Sequence, residues 1–447
     1  MLQIVYIALL AGTVAGAFST NQSVTEVRKV GHGPTGYEVT FRYYSETANQ
    51  PKSVLLGGFP LYANALTASR SKTEQIAPWD WQADDFSLFL SPLRPAYGNT
   101  TYLGFNMTFE ESSGGWVTTL PFPSGTFGYA FYLDCKEGWS SPHCNPVIDP
   151  GNPPIQSPAG DQNHSIIQVP FDAKHQVQNY DYALPLDDKT RRGSIAFYNY
   201  SSPGSTAPTK DIHSVGIYLP VGYGEISGKK YPVLYLSHGG GGNDADWFNQ
   251  GRAHNIVDQL IDAQVLEPTI VVTPNFYDLG FSMEDFATNI TGENGSDTYG
   301  LNGFFEAVRK NYLKHLIPWV ESNFHTISEP TGRAWGGLSL GGGLSITMLL
   351  NATNIFSHVC IMSNTPSPLP NDPQWNNTGI NSVDIFLGAG FYDKAFDNSR
   401  SMQDRLSAAG VLNYRSRYFP GGGHDWHTWQ DILYTWLRNE LVKSKWG

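Results

Sequence analysis

Three residues of this chain, a serine, an aspartate and a histidine in that order, sit in contexts that could support acyl transfer. Ser339 is the centre of Gly337-Leu-Ser-Leu-Gly341, between the apolar Ala334-Trp335 and a helix-like Leu344-Ser-Ile-Thr-Met-Leu-Leu350. A nucleophilic serine held at a sharp strand-to-helix turn is strained, and only very small residues fit two positions to either side. His424 ends Gly421-Gly-Gly-His424, after the strand-like Tyr414-Arg-Ser-Arg-Tyr-Phe419 and before a helix carrying Trp429, Ile432, Leu433 and Trp436 on one face. A glycine-rich loop above a sheet lets a base reach the serine hydroxyl. His427 competes for that role, but it falls inside the helix, where it is expected to cap the helix or face solvent. The acid that orients the base should lie between serine and histidine in the chain. Asp393 follows the strand that begins at Asp384, in the position where functional groups of α/β sheets collect, and is preferred over Asp397. Its task would be to fix the imidazole tautomer and stabilise the imidazolium.

An oxyanion forming at the attacked carbonyl needs backbone donors. Leu236-Ser-His-Gly-Gly-Gly-Gly242 directly follows the strand Val233-Leu-Tyr-Leu236, and its glycines allow the backbone to approach a substrate. The expected donors are Leu340 N–H and an N–H near Gly239 or Gly240. No Gly-Lys-Ser/Thr follows the run, so a phosphate loop is disfavoured. Trp247 and Trp426, shortly after the glycine loop and the histidine, are expected at the mouth of the site, where an indole offers an apolar face to a sugar or an aromatic acid. Neither a His-x-x-x-His helix pair nor a Cys/His cluster is present, so no metal or other cofactor is expected.

The elements that must position these residues alternate. Strands read at 214–219, 232–237, 269–273, 334–338 and from 384, and helices around 253–263 and 304–324, the rhythm of a mostly parallel sheet covered on both faces. The expected fold class is α/β, a hydrolase-type domain over 191–447. Ahead of it, Tyr37-Glu-Val-Thr-Phe-Arg-Tyr-Tyr44, Ser53-Val-Leu-Leu-Gly57, Gly115-Trp-Val-Thr-Thr-Leu120 and Phe127-Gly-Tyr-Ala-Phe-Tyr-Leu133 alternate β-branched and aromatic residues between turn formers, which reads as an all-β sandwich over 18–155. The Pro-, Gly-, Gln- and Asn-rich stretch 156–190 reads as a linker.

The chain has 28 basic and 40 acidic residues, a net charge of −12, with no Lys/Arg-rich run, which argues against nucleic acid or an anionic membrane as partner. Met1 to Ala17 combines a short apolar run with Ala15-Gly-Ala17 and reads as a secretory leader at 1–17. Asn-x-Ser/Thr sequences at Asn21, Asn99, Asn106, Asn163, Asn199, Asn289, Asn294, Asn351 and Asn376 fit a secreted, extracellular glycoprotein. So do Cys135 and Cys144, which flank a short loop that a disulfide could staple, while Cys360 in an apolar run is expected to be a buried thiol.

Gly337-Leu-Ser-Leu-Gly-Gly342, the His238-Gly-Gly-Gly-Gly242 loop and Gly421-Gly-Gly-His-Asp-Trp-His-Thr-Trp429 resemble the esterase D type carbohydrate esterases, which include feruloyl and acetylxylan esterases. The resemblance spans about 190 to 447. It implies the roles given above to Ser339, Asp393 and His424; Leu340 stands where this family often has Met, a mild departure because only its backbone N–H is required. Val54-Leu-Leu-Gly-Gly58, Trp116, Pro123-Ser-Gly-Thr-Phe-Gly-Tyr-Ala-Phe131 and Asp149-Pro-Gly-Asn-Pro153 resemble early-set immunoglobulin-like modules. The resemblance implies a serine esterase acting through an acyl-enzyme on feruloyl or acetyl esters, with an acylated polysaccharide or oligosaccharide as partner. Acyl transfer to a sugar and non-catalytic carbohydrate binding are the alternatives, and the oligomeric state is left open.

Overall fold

The computed structural model describes residues 25–45, 50–57, 105–135, 144–160, 162–286, 288–291, 297–368, 372–420 and 422–441. The expected leader, Asn21, Asn99, Asn294 and Gly421 lie outside them.

Two four-stranded antiparallel sheets form the N-terminal region. One has the order β1 (Glu26–Lys29), β2 (Tyr37–Tyr43), β6 (Gly115–Pro121), β5 (Thr108–Glu110), and the other β4 (Phe105–Asn106), β3 (Val54–Gly57), β7 (Gly125–Leu133), β8 (Ser165–Val169). In β2, Val39, Phe41 and Tyr43 are buried and the residues between them are not, the period of a strand with one face on a core. That core gathers Val39, Phe41, Val54, Leu56, Phe122, Tyr129, Phe131 and Ile167. The expectation of a linker over 156–190 fails at β8, because Ser165-Ile-Ile-Gln-Val169 pairs along β7 from Tyr129 to Gly125 and buries Ile167 and Val169 in that core. The Asp149-Pro-Gly-Asn-Pro153 corner holds this turn of the chain. The Tyr129 hydroxyl donates to Asp149 Oδ2 at 2.6 Å, the Asp149 N–H donates to Ser165 Oγ at 3.0 Å, and Asn152 Nδ2 donates to the Ile166 carbonyl at 2.8 Å. Cys135 and Cys144 are disulfide-bonded just beyond β7, and Cys360 is free and buried.

The C-terminal region is built on an eight-stranded sheet of order β18-β17-β16-β15-β11-β12-β10-β9. Its strands are β9 (Ser194–Ser201), β10 (Ile212–Leu219), β11 (Val233–Ser237), β12 (Ile270–Pro274), β15 (Arg333–Leu338), β16 (His358–Met362), β17 (Asp384–Gly390) and β18 (Tyr414–Phe419); a separate hairpin joins β13 (Thr288–Thr291) to β14 (Asp297–Gly300). Only β10 runs against the others, so the sheet is mixed but mostly parallel. Strands β11, β12, β15 and β16 are buried at every residue, as central parallel strands covered on both faces must be. The short α1 (Asp246–Asn249), α2 (Ala253–Asp262) and α7 (Trp426–Trp436) lie with the core on one face. On the other face, α3 (Asn302–Asn311) continues through a wider turn at Tyr312–Leu316 into α4 (Ile317–Asn323), and α5 (Leu340–Asn351) and α6 (Phe396–Ala408) complete the layer. The helix expected near 304–324 is this continuous run.

Candidate active site

The four loops that carry the expected residues all leave the carboxyl ends of parallel strands: Gly239 after β11, Ser339 after β15, Asp393 after β17 and His424 after β18. This is where open α/β sheets bind their ligands. Ser339 takes φ 53° and ψ −114°, a strained conformation for a residue with a side chain, between the last residue of β15 and the first of α5. The glycines around it are sterically required. A Cβ on Gly337 would lie 2.3 Å from the Gly341 carbonyl oxygen, and one on Gly341 would lie 2.3 Å from the His238 carbonyl oxygen. The turn is fixed by the Ser339 N–H, which donates to the Met362 carbonyl of β16 at 2.9 Å.

His424 Nε2 lies 2.9 Å from Ser339 Oγ, and its Nδ1 lies 2.7 Å from Asp393 Oδ1. A carboxylate can only accept, so Nδ1 carries the proton and Nε2 is left free to accept from the serine. Asp393 is almost fully buried and its Oδ1 also takes the Ala395 N–H at 2.7 Å, which holds the carboxylate in place. Asp397, the other acid considered, is exposed in the first turn of α6. Asp425 caps α7 by accepting the Thr428 N–H at 3.0 Å, so the turn after His424 is fixed from the helix side.

Leu340 is the first residue of α5, where leading N–H groups have no partner within the helix. The Gly239 backbone lies against the same point: a Cβ there would come within 3.3 Å of Ser339 Cβ and 2.7 Å of the Leu338 side chain. At Gly240 a Cβ would meet nothing within 4 Å, so its backbone borders open space. His238 is a positioning residue that sequence reasoning quoted only as part of the loop. Its ring nitrogens lie 2.7 Å from the Gly239 carbonyl and 3.1 Å from Asn275 Oδ1, it stacks on Phe276 at 4.0 Å, and burial pushes its pKa down to about 4. A neutral ring that donates from Nδ1 to the Gly239 carbonyl and accepts the Phe276 N–H at Nε2, at 3.4 Å, leaves the glycine loop little freedom. A histidine preceding a glycine run at a strand end was the available signal.

Two expectations are corrected. Trp247 is not at the mouth of the site: it is fully buried beneath the glycine loop, donating Nε1–H to the Ser237 carbonyl at 3.0 Å and packing edge-on against Trp426. Trp426 is half-buried between Trp247 and Trp429. His427 neither caps α7 nor faces solvent. It is buried against the N-terminal region, accepting the Thr126 N–H at 3.3 Å, with the rings of Phe127 and Tyr180 each 5.0 Å away. A partner 301 positions away in sequence leaves no local signature.

Residues 205–439 match the model of the Esterase family, and the chain belongs to that family. It is 30% identical over 233 residues to an endo-1,4-beta-xylanase/feruloyl esterase of Xylanibacter ruminicola, a match covering 50% of this chain and 29% of that protein. A second relative, endo-1,4-beta-xylanase Y of Acetivibrio thermocellus, is 29% identical over 251 residues, which cover 49% of this chain and 21% of that protein. The chain therefore spans less than a third of the length of either relative. Among solved structures, the enterobactin esterase of Shigella flexneri superposes over 91% of this chain and 93% of its own, with a TM-score of 0.51 and 15% identity, a likeness of fold that includes the N-terminal sheets.

Proposed function

We propose that the protein is a secreted serine carboxylic ester hydrolase that removes feruloyl or acetyl groups from plant cell-wall polysaccharide. The observation that carries the reading is the hydrogen-bonded chain Ser339 Oγ, His424 Nε2, His424 Nδ1, Asp393 Oδ1, at 2.9 and 2.7 Å. In this reading Ser339 Oγ attacks the ester carbonyl carbon while His424 Nε2 takes its proton. The tetrahedral oxyanion is held by the N–H groups of Leu340 and of Gly239 or Gly240. His424 then returns the proton to the departing sugar alcohol, leaving an acyl-Ser339. Water attacks that ester with His424 again as base, the free acid leaves, and the serine is restored. Asp393 orients the ring throughout. The relative named for both xylanase and feruloyl esterase activity supports the plant-wall ester, and the leader-like N-terminus and the Cys135–Cys144 bond support secretion. The two N-terminal sheets fit an early-set module that acts as a packing partner.

The test is turnover of a panel of feruloylated and acetylated xylo-oligosaccharides, aryl acetates and long-chain nitrophenyl esters by the full chain. The expected result is the highest kcat/KM on the sugar esters, with all activity lost in Ser339→Ala. A preference for the long chain, or no turnover of any sugar ester, would overturn the substrate class.

A further inference from the structure

A cavity of about 570 Å³ lies behind the loop that carries His424, walled by Arg417 and Phe419 of β18, by Gly422, by Asp431 and Tyr434 of α7, and by Gln178 and Tyr182 of the segment joining the two regions. Its size is in the range of small-molecule sites, and the catalytic mechanism uses none of its side chains. The groups are of two kinds. Tyr182 and Tyr434 are stacked at 4.2 Å and 13°, and with Phe419 they supply flat apolar surface. Planar polar groups stand beside them: the Arg417 guanidinium, the Gln178 amide and the Asp431 carboxyl. Arg417 is exposed and makes no ion pair among the described residues; its guanidinium lies 5.5 Å from the Phe419 ring. Asp431 accepts from the Tyr182 hydroxyl, and burial pushes its pKa up to about 7, so near neutrality its carboxyl can donate as well as accept.

Rings with flat apolar faces flanked by planar groups that both donate and accept match the chemistry of a pyranose, which presents a C–H face and a rim of hydroxyls. We propose that this cavity binds sugar residues of the polysaccharide chain beyond the esterified one. The inference rests on the reading of the substrate as a sugar ester. The wall shared with the site makes the connection physical. The Gly422 carbonyl accepts the Tyr392 N–H at 2.9 Å, next to Asp393, and the Gly422 N–H donates to the Phe419 carbonyl at 3.1 Å, so the loop that ends in His424 also closes the cavity.

The experiment uses the full chain carrying Ser339→Ala, titrated with unesterified xylohexaose by calorimetry and by amide chemical shifts, with ferulate as the second probe. Xylohexaose should shift amides of 178–182 and 431–435, ferulate should not, and adding Arg417→Ala should weaken xylohexaose binding about tenfold, the loss of roughly one charged hydrogen bond. Arg417 is an exposed edge-strand residue, and an unchanged melting curve confirms that the variant folds. Absence of binding, shifts confined to the surroundings of Ser339, or an affinity untouched by Arg417→Ala would overturn the proposal. Turnover of sugar esters by the unmutated enzyme is read separately. Hydrolysis without binding in the cavity sinks this inference alone, whereas binding without hydrolysis sinks the esterase substrate reading and leaves the cavity as a sugar site.

Discussion

His424 and His427 lie three residues apart, and they face different halves of the molecule. His424 is turned toward the carboxyl ends of the parallel strands, 2.9 Å from Ser339, with its side chain still 18% exposed. His427 is turned the other way, sealed against β7 of the N-terminal region. The two regions bury their strands differently. The C-terminal sheet covers both faces with helices and frees its strand ends for loops, which is where the reactive residues stand. In the N-terminal sheets β2 buries one face, while β7 is buried along nearly its whole length and presents the Thr126 N–H and the Phe127 ring to α7. The comparison teaches a division of labour: one region holds the Ser339, His424 and Asp393 hydrogen-bonded chain, and the other holds the helix that follows His424.

The largest effect expected from breaking this division is on the chemical side. Ser339→Ala should lower kcat by about 10⁶ and His424→Ala by about as much, with Asp393→Asn less severe at about 10⁴, while all three variants keep the folded-state circular dichroism. Turnover surviving in Ser339→Ala above a small fraction of the unmutated rate would remove the nucleophile assignment. A greater loss from His427→Gln than from His424→Gln would reverse the two histidines.

Trp247 tests whether burial or substrate contact defines the residue. Truncating a fully buried indole under the glycine loop should cost about 3–5 kcal/mol of stability. Trp247→Ala should therefore unfold at markedly lower urea, with kcat falling through a loosened oxyanion loop. A variant of unchanged stability that showed only a raised KM would restore the indole to the substrate.

The interface responds to pH through His427. Burial lowers its pKa from 6.5 to about 4, so the folded protein keeps it neutral while the unfolded chain takes up a proton. The unfolded state thus binds more protons between these values. The stability that depends on the neutral ring is fully present above about pH 6.5 and is lost as pH falls toward 4, on the order of 3 kcal/mol in all. His427→Gln, which retains an acceptor for the Thr126 N–H, should flatten this acid limb of the urea midpoint against pH. Identical slopes in the two proteins would place the acid sensitivity elsewhere, for instance at His238 or His254, whose pKa values burial lowers to about 4 and about 3.

How much of this was legible in the sequence follows from the range of each interaction. The nucleophile turn was readable because its glycines answer to atoms within a few residues or on the adjacent strand, and the order Ser339, Asp393, His424 follows the order of parallel strands. The helix over 302–323 was readable from apolar residues at helical spacing, Phe304, Phe305, Val308, Tyr312, Leu316 and Val320, and β11 from its apolar run. Strand β8 was hidden because its five residues, Ser165-Ile-Ile-Gln-Val169, do not alternate and sit inside a stretch whose composition is that of a loop. Trp247 and His427 were misplaced for a related reason: Trp426 covers the one and β7 the other, both far away in sequence, and no pattern around either residue encodes the partner.

The smallest effect expected is also the one that separates the two regions most cleanly. Strand β7 runs from Gly125 and Thr126, which touch His427, to Leu133, two residues before Cys135. Its far end is thus stapled by a bond to Cys144, nine positions on. Closing so short a loop removes little freedom from the unfolded chain, about 2–3 kcal/mol. At an extended rise of about 3.3 Å per residue, the strand puts roughly 30 Å of sheet between the disulfide and the helix that follows His424. Replacing both cysteines by serine should therefore lower the stability of the N-terminal sheets by no more than that amount and leave kcat and KM unchanged at temperatures where those sheets remain folded. The measurement is hydrogen exchange of β7 and β3 amides alongside ester turnover in the same protein. Faster exchange with constant turnover would sharpen the division between the regions. A fall in kcat in step with faster exchange would show that strain at one end of β7 reaches α7 at the other, and the N-terminal region would then have to be counted as part of the catalytic machinery.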